Sequence, residues 1–183
     1  MKKPDWKKWV SDKKDCKIWL DHYLDKKMLI KRKKEDKLFF AKSEHNLNFA
    51  NWVVSKQPEL KGLFNDSFYD WAVSGYYYAV YHSALALISM KGYESRSHMA
   101  TLCFIIYHYY HWKKILEEQH LEVISGSIDK EDIQSIARSK SLRERASYNV
   151  EESFERNIAD DLRNDAVHFI QKVRSILADK NEH

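Results

Sequence analysis

Four glycines and two prolines in 183 residues constrain this chain more than any motif in it does. Tight β-turns draw on Gly for positive φ and on Pro for a preset φ, so a chain so poor in both cannot fold through many hairpins. Long helices are what remains. They need apolar surface to pack on one another, and 44% hydrophobic residues with 14% aromatic supply it. The expected fold class is all-α, an up-and-down bundle of four to five main helices, within a length that fits one domain plus an extension.

Residues 1–37 read as that extension, basic and helical, and residues 38–183 as the bundle domain. In the first part Trp6, Trp9, Val10, Ile18, Trp19, Tyr23, Met28 and Ile30 suit one or two short helices. A first bundle helix over about 38–56 is expected to stop before Pro58, because the residue preceding a proline is pushed out of the helical region. The second runs over about 66–91, with Asp66 or Ser67 as N-cap and Gly92 past its end. Along it Ala72, Gly75, Ala79, Ser83 and Ala86 form a seam of small side chains, a packing device for a close neighbour within the chain or across a dimer. A third helix is expected from Ser97 to Gln119, then a break at Ser125-Gly126-Ser127, a short helix near 129–138, and a last helix over about 151–178.

Charge is uneven. Residues 1–40 hold 14 Lys/Arg against 7 Asp/Glu, leaving the remainder net acidic. The densest cluster, Lys31-Arg32-Lys33-Lys34, suits a segment that tracks a phosphate backbone and loses affinity as salt rises, or else a solvated helix face. No apolar run reaches membrane-spanning length and Met1 is not followed by a leader of signal-peptide shape. The expected location is therefore the cytoplasm, with Cys16 and Cys103 as reduced core residues and no membrane contact.

The last helix carries the chemistry. Phe154, Ile158, Leu162, Ala166, Phe169, Ile170, Val173, Ile176 and Leu177 recur every three or four residues and fill one face. With Leu162 at zero, Arg163, Asn164 and His168 project to about 100°, 200° and 240°. None belongs to the core stripe. Arg163 and His168 diverge by about 140°, too far to act on one phosphate from one helix, whereas two copies packed face to face bring two of each into one cleft. Val167, apolar on the polar side, suits such an interface.

Four segments together resemble a known family. Trp71 to Gly92, with Tyr77-Tyr78-Ala79, Val80 and His82 ahead of the terminal glycine, is similar to the second helix of HEPN domains. Ser95-Arg96-Ser97-His98 resembles the basic-plus-His start of their next helix, and Leu142 to Tyr148 the Arg…Ala-Asp-Tyr stretch before their last, with Ser147 where Asp is common. Arg163-Asn164 followed by His168 matches the R-N-x3-H form of the HEPN ribonuclease motif. The resemblance spans about 40–180 and implies a helical bundle that dimerises, with an endoribonuclease site in the dimer groove. Other members are inactive nucleotide- or nucleic-acid-binding modules, or partners of a nucleotidyltransferase in toxin–antitoxin systems. In toxins of that kind a tyrosine modified by the partner follows the motif His by two positions; Ile170 stands there.

The residues suit the implied reaction without metal or other cofactor. Attack of a 2′-OH on the adjacent phosphorus needs a base, an acid for the 5′-oxygen, and a cation for the phosphoryl oxygens. His168 populates both protonation states near neutral pH, Arg163 offers a bidentate fork, and Asn164, one turn before His168, can orient the imidazole. Other groupings are weaker. His108 and His111 have a helical spacing that suits two metal ligands, but no local carboxylate or thiol completes a set. Tyr107, Tyr109, Tyr110 and Trp112 would stack unpaired bases if exposed, and otherwise build core, and His82 reads as a hydrogen-bonded core or interface residue.

Overall fold

The computed structural model describes residues 4–128 and 150–179. Two short helices come first, α1 (Trp6–Ser11) and α2 (Lys13–Asp25), each begun by an aspartate whose side chain accepts from backbone N–H groups of the first turn: Asp5 from Lys7 and Lys8, Asp12 from Lys14 and Asp15. A short strand β1 (Leu29–Lys31) then leads into the long helix α3 (Asp36–Phe64). The helices α4 (Tyr69–Met90) and α5 (His98–Ile105) flank a second strand, β2 (Tyr93–Ser95). A π-helical segment follows over Ile106–Trp112, then α6 (Glu118–Ile128) and the last helix α7 (Val150–Asp179). The chain is all-α in architecture.

At its centre α4 packs against α3 on one side and α7 on the other. The small-residue seam explains the first of these contacts. Ala72, Gly75, Ala79 and Ser83 are all buried, and a Cβ on Gly75 would lie 2.8 Å from the Ala50 Cβ of α3. Side-chain hydroxyls close the rest of the seam: Ser43 donates to the Ala79 carbonyl at 2.6 Å, and Ser83 lies 2.6 Å from Ser43. Thus the seam serves a neighbour within the chain.

Pro58 does not stop α3. The helix runs six residues beyond it, ending at Asn65 in the left-handed conformation, φ 52°. An interior proline costs roughly 3 kcal/mol. Packing on α4 outweighs that cost, since Val53 and Gln57 in the turn leading into Pro58 are buried and the Gln57 side chain accepts from the Phe68 N–H, tying α3 to the start of α4. The second bundle helix begins at Tyr69 with Phe68 rather than Asp66 or Ser67 as N-cap, although the Ser67 hydroxyl accepts from the Tyr69 N–H at 3.5 Å, and Gly92 follows its end at φ +77°.

The single third helix expected from Ser97 to Gln119 is divided. Its first half widens into the π-helical segment, where the Lys113 N–H reaches back five residues to the His108 carbonyl. Long-range bonds hold that widened turn, Tyr109 donating to the Leu87 carbonyl at 2.6 Å and His111 to the Trp9 carbonyl at 2.8 Å. The chain then breaks at Lys113–Glu117, with Lys114 at φ 52°, before α6 starts. The break placed at Ser125-Gly126-Ser127 falls instead inside α6, because Leu121, Ile124 and Ser125 are buried there and packing overrides local glycine and serine preferences. The short helix expected near 129–138 and the Leu142–Tyr148 stretch lie outside the described residues.

One further feature, a two-stranded ribbon, was not expected, whereas the packing of the N-terminal helices and the burial of both cysteines were. β1 and β2 pair antiparallel, Ile30 opposite Glu94, and the Arg32 N–H extends the ribbon to the Gly92 carbonyl, so the early chain is stitched to the loop after α4. Trp9, Cys16, Trp19, Leu20 and Tyr23 also join the same continuous core as α4, α5 and α7. Trp9 contacts Trp19 and Tyr23 at ring distances of 5.7 and 6.3 Å. The thiols of Cys16 and Cys103 are free, buried, and 4.0 Å apart. Among the described residues no helix is long and apolar enough to cross a membrane.

Candidate functional site

Helix α7 places the motif as its stripe dictates. Ala166, Phe169, Ile170, Val173 and Ile176 are buried, while Arg163, Asn164 and His168 are exposed. Asn164 and His168 line one cavity of about 520 Å³ where α4, α6 and α7 meet. Tyr76, Tyr77 and Val80 contribute from α4, and Gln119, Glu122 and Val123 from α6. Leu162 and Asp165 complete the α7 wall. Arg163 is not part of that lining.

The two ends of the motif meet different neighbours. Arg163 acts electrostatically on Tyr76, whose hydroxyl donates to the Asn51 side chain at 2.9 Å. Burial pushes the Tyr76 hydroxyl up to about 12, with the Arg163 guanidinium opposing and Asp160 adding to the rise. Tyr76 thus stays a neutral hydrogen-bonding group. His168 turns instead toward α6, where its ring lies nearly parallel to that of His120, centroids 5.4 Å apart and planes 11° apart. Divergence of Arg163 and His168, as projected from the sequence, is what these neighbours show.

His120 escaped the sequence reading, which ended a helix one residue before it. A signal was present: Leu116, Leu121 and Ile124 mark the buried stripe of this segment, and a histidine stands on it at 3% exposure. Next to the cavity Tyr77 also meets a histidine, its hydroxyl lying 2.6 Å from Nε2 of His98, and Tyr81 stacks on the same ring at 4.2 Å.

The remaining candidates sit elsewhere. Lys31 ends β1, and Arg32, Lys33 and Lys34 lead into α3, all four exposed and none lining the cavity. Arg32 pairs with Glu94 across the ribbon at 3.1 Å. His82 is half-buried and its Nδ1 donates to the Tyr78 carbonyl at 2.8 Å. Of the aromatic group, Tyr109 is buried, Tyr107 and Tyr110 are half-buried, and Trp112 is exposed beneath the Lys13 ammonium at 4.3 Å. His108 packs on Phe104 at 4.3 Å, and burial, with Lys91 and Lys17 nearby, lowers it to about 4. Among the described residues no group of three or more His, Cys, Asp or Glu side chains is arranged to hold a metal ion.

The family model described as HEPN domain matches residues 59–176, which takes in α4, the cavity and the whole Arg163–His168 motif. No curated protein and no solved structure matches the chain.

Proposed function

The chain belongs to the HEPN domain family, and from that premise we propose that it is a metal-independent endoribonuclease of toxin or defence type, with its site completed in a homodimer groove. The observation that carries this reading is the placement of the motif: His168 and Asn164 open into a cavity beside two tyrosines, and His168 is held against a second ring.

His168 takes the proton of the ribose 2′-OH as that oxygen attacks the adjacent phosphorus. The bond to the 5′-oxygen breaks, the leaving oxygen takes a proton from the protonated His168 of the second copy, and the products are a 2′,3′-cyclic phosphate and a 5′-OH. Arg163 neutralises the phosphoryl oxygens, and Asn164 orients the imidazole. The cavity suits a nucleobase better than a phosphate, since Tyr76, Tyr77, Val80 and Leu162 offer an apolar slot and the Glu122 and Asp165 carboxylates repel anions. The scissile phosphate then lies outside, and Arg163 of a second copy reaches it when two α7 helices face each other about a two-fold axis.

Residues 1–37 act in this reading as a basic extension of the domain formed by 38–183, with Lys31, Arg32, Lys33 and Lys34 tracking the RNA backbone. A second reading, a binding module that does no chemistry and pairs with a nucleotidyltransferase, is favoured by the same divergence of Arg163 and His168 within one protomer. One experiment separates the two. Wild type and His168→Ala are incubated with mixed RNA in EDTA and the new ends are analysed. Cyclic-phosphate ends from wild type alone support the nuclease; equal cleavage by His168→Ala, or a requirement for divalent metal, overturns it; RNA binding without new ends supports the module.

A further inference from the structure

His120 shares the candidate site, yet the chemistry above does not use it. Its ring lies nearly parallel to that of His168 from α7, centroids 5.4 Å apart, and Phe169 tilts against it at 6.4 Å and 49°. Buried polar groups are kept where they find a hydrogen-bond partner. His120 has one: the Glu117 backbone N–H donates to its Nδ1 at 3.1 Å. A backbone amide can only donate, so Nδ1 carries no proton and the ring's hydrogen sits on Nε2. Position and tautomer are both set by the turn that begins α6, and the ring is neutral.

Its electrostatic surroundings agree with that assignment. Burial pushes the imidazole of His120 below its ordinary value, and His168 and Lys172, both on α7, push the same way, while Glu117, just before α6, opposes them. The hydrogen bond of the His120 ring runs to the Glu117 backbone, so its part beside His168 is read from the geometry of the two rings.

We propose that His120 is a positioning residue, a neutral and immobile platform whose face holds the exposed His168 imidazole in the one orientation productive for proton transfer. Without such a platform a histidine on an exposed helix face distributes among several χ1 and χ2 arrangements. With it, the ring plane of His168 is set by α6, and catalysis depends on how α6 and α7 sit together. The inference rests on the ribonuclease reading above.

Two substitutions separate a flat face from mere filling. His120→Phe keeps a planar ring without nitrogens; His120→Leu keeps buried apolar volume without a planar face. In the full-length chain, with an oligoribonucleotide substrate across pH 5.5–8.5, His120→Leu should lower kcat about 10- to 100-fold with KM nearly unchanged, the scale of a misplaced reacting group. His120→Phe should restore kcat to near wild type and leave the pH profile unchanged. A His120→Leu variant as active as wild type overturns the proposal, and so does a His120→Phe variant as impaired as His120→Leu, which would give the role to the nitrogens. A readout independent of turnover is the imidazole NMR spectrum: the ring protons of His168 should carry a ring-current shift in wild type and His120→Phe that is lost in His120→Leu. If no chain cleaves RNA, the ribonuclease reading fails, and the ring-current shift still decides whether the platform exists; its absence in wild type overturns it.

Discussion

The two faces of α4 are built on opposite principles. Toward α3 it offers Ala72, Gly75, Ala79 and Ser83, and the helices close until a single added methyl group would collide. Toward α6 and α7 it offers Tyr76, Tyr77 and Val80, and the helices stand apart around a cavity that Glu122, Asn164, Asp165 and His168 share. Small side chains give a dry interface with no room for a ligand; large ones facing polar residues leave space and chemistry. One helix therefore serves as a structural wall on one side and as a site wall on the other, and stability and function should separate by face.

The largest expected effect breaks the open face. His168→Ala should reduce RNA cleavage by about a thousandfold or more, as loss of the essential acid–base group does. Because His168 is exposed, its thermal midpoint should move little. A large loss of stability with that variant would mean that the two faces are not separable. Breaking the closed face should do the reverse. Gly75→Val forces a branched side chain against Ala50, where even a Cβ lies at 2.8 Å, and overpacking of this kind costs about 3 kcal/mol. In a chain of this length that corresponds to a fall in Tm of about 6–12 °C. Ala50→Gly in the same chain should recover part of the loss, a coupling that a double-mutant cycle measures. Additive effects would show that the contact is not the cause.

A smaller effect tests whether the ribbon near the N-terminus contributes binding without chemistry. Neutralising Lys31, Lys33 and Lys34 together should weaken RNA binding across all sequences and lower the slope of log K against log salt by about 2 to 3. Arg32, paired with Glu94, should contribute less than its lysine neighbours. Unchanged salt dependence would assign these lysines to a solvated face.

Periodicity carried the sequence reading where one helix meets one core. The stripe of α7, the seam of α4 and the divergence of Arg163 and His168 are properties of a single helix, so spacing alone reveals them. What spacing missed depends on distant partners. Pro58 signals a helix end, and the helix continues because α4 packs against that turn. Ser125-Gly126-Ser127 signals a break, and burial of Leu121 and Ile124 keeps α6 intact. The π-helical segment depends on carbonyls at Trp9 and Leu87, 102 and 22 residues from the side chains that reach them. His120 was missed for the same reason, since its meaning comes from a ring on another helix.

The smallest effect concerns acid stability and belongs to the π-helical segment, away from both faces of α4. His108 is half-buried against Phe104, and burial, followed by Lys91 and Lys17, lowers it from 6.5 to about 4. A histidine whose folded pKa lies below its unfolded one is kept neutral by the fold, so between these values the unfolded chain binds more protons. Stability from this source is therefore complete above pH 6.5 and is lost as pH falls toward 4. His82 and His120, lowered in the same direction chiefly by burial, add to the same limb. His108→Phe keeps an aromatic ring on Phe104 and removes the titration. Its urea midpoint should match wild type near pH 7.5 or exceed it, and should fall less steeply between pH 6.5 and 4. An equally steep fall would move the origin of acid sensitivity to His82 or His120, and the latter would carry it back to the open face of α4.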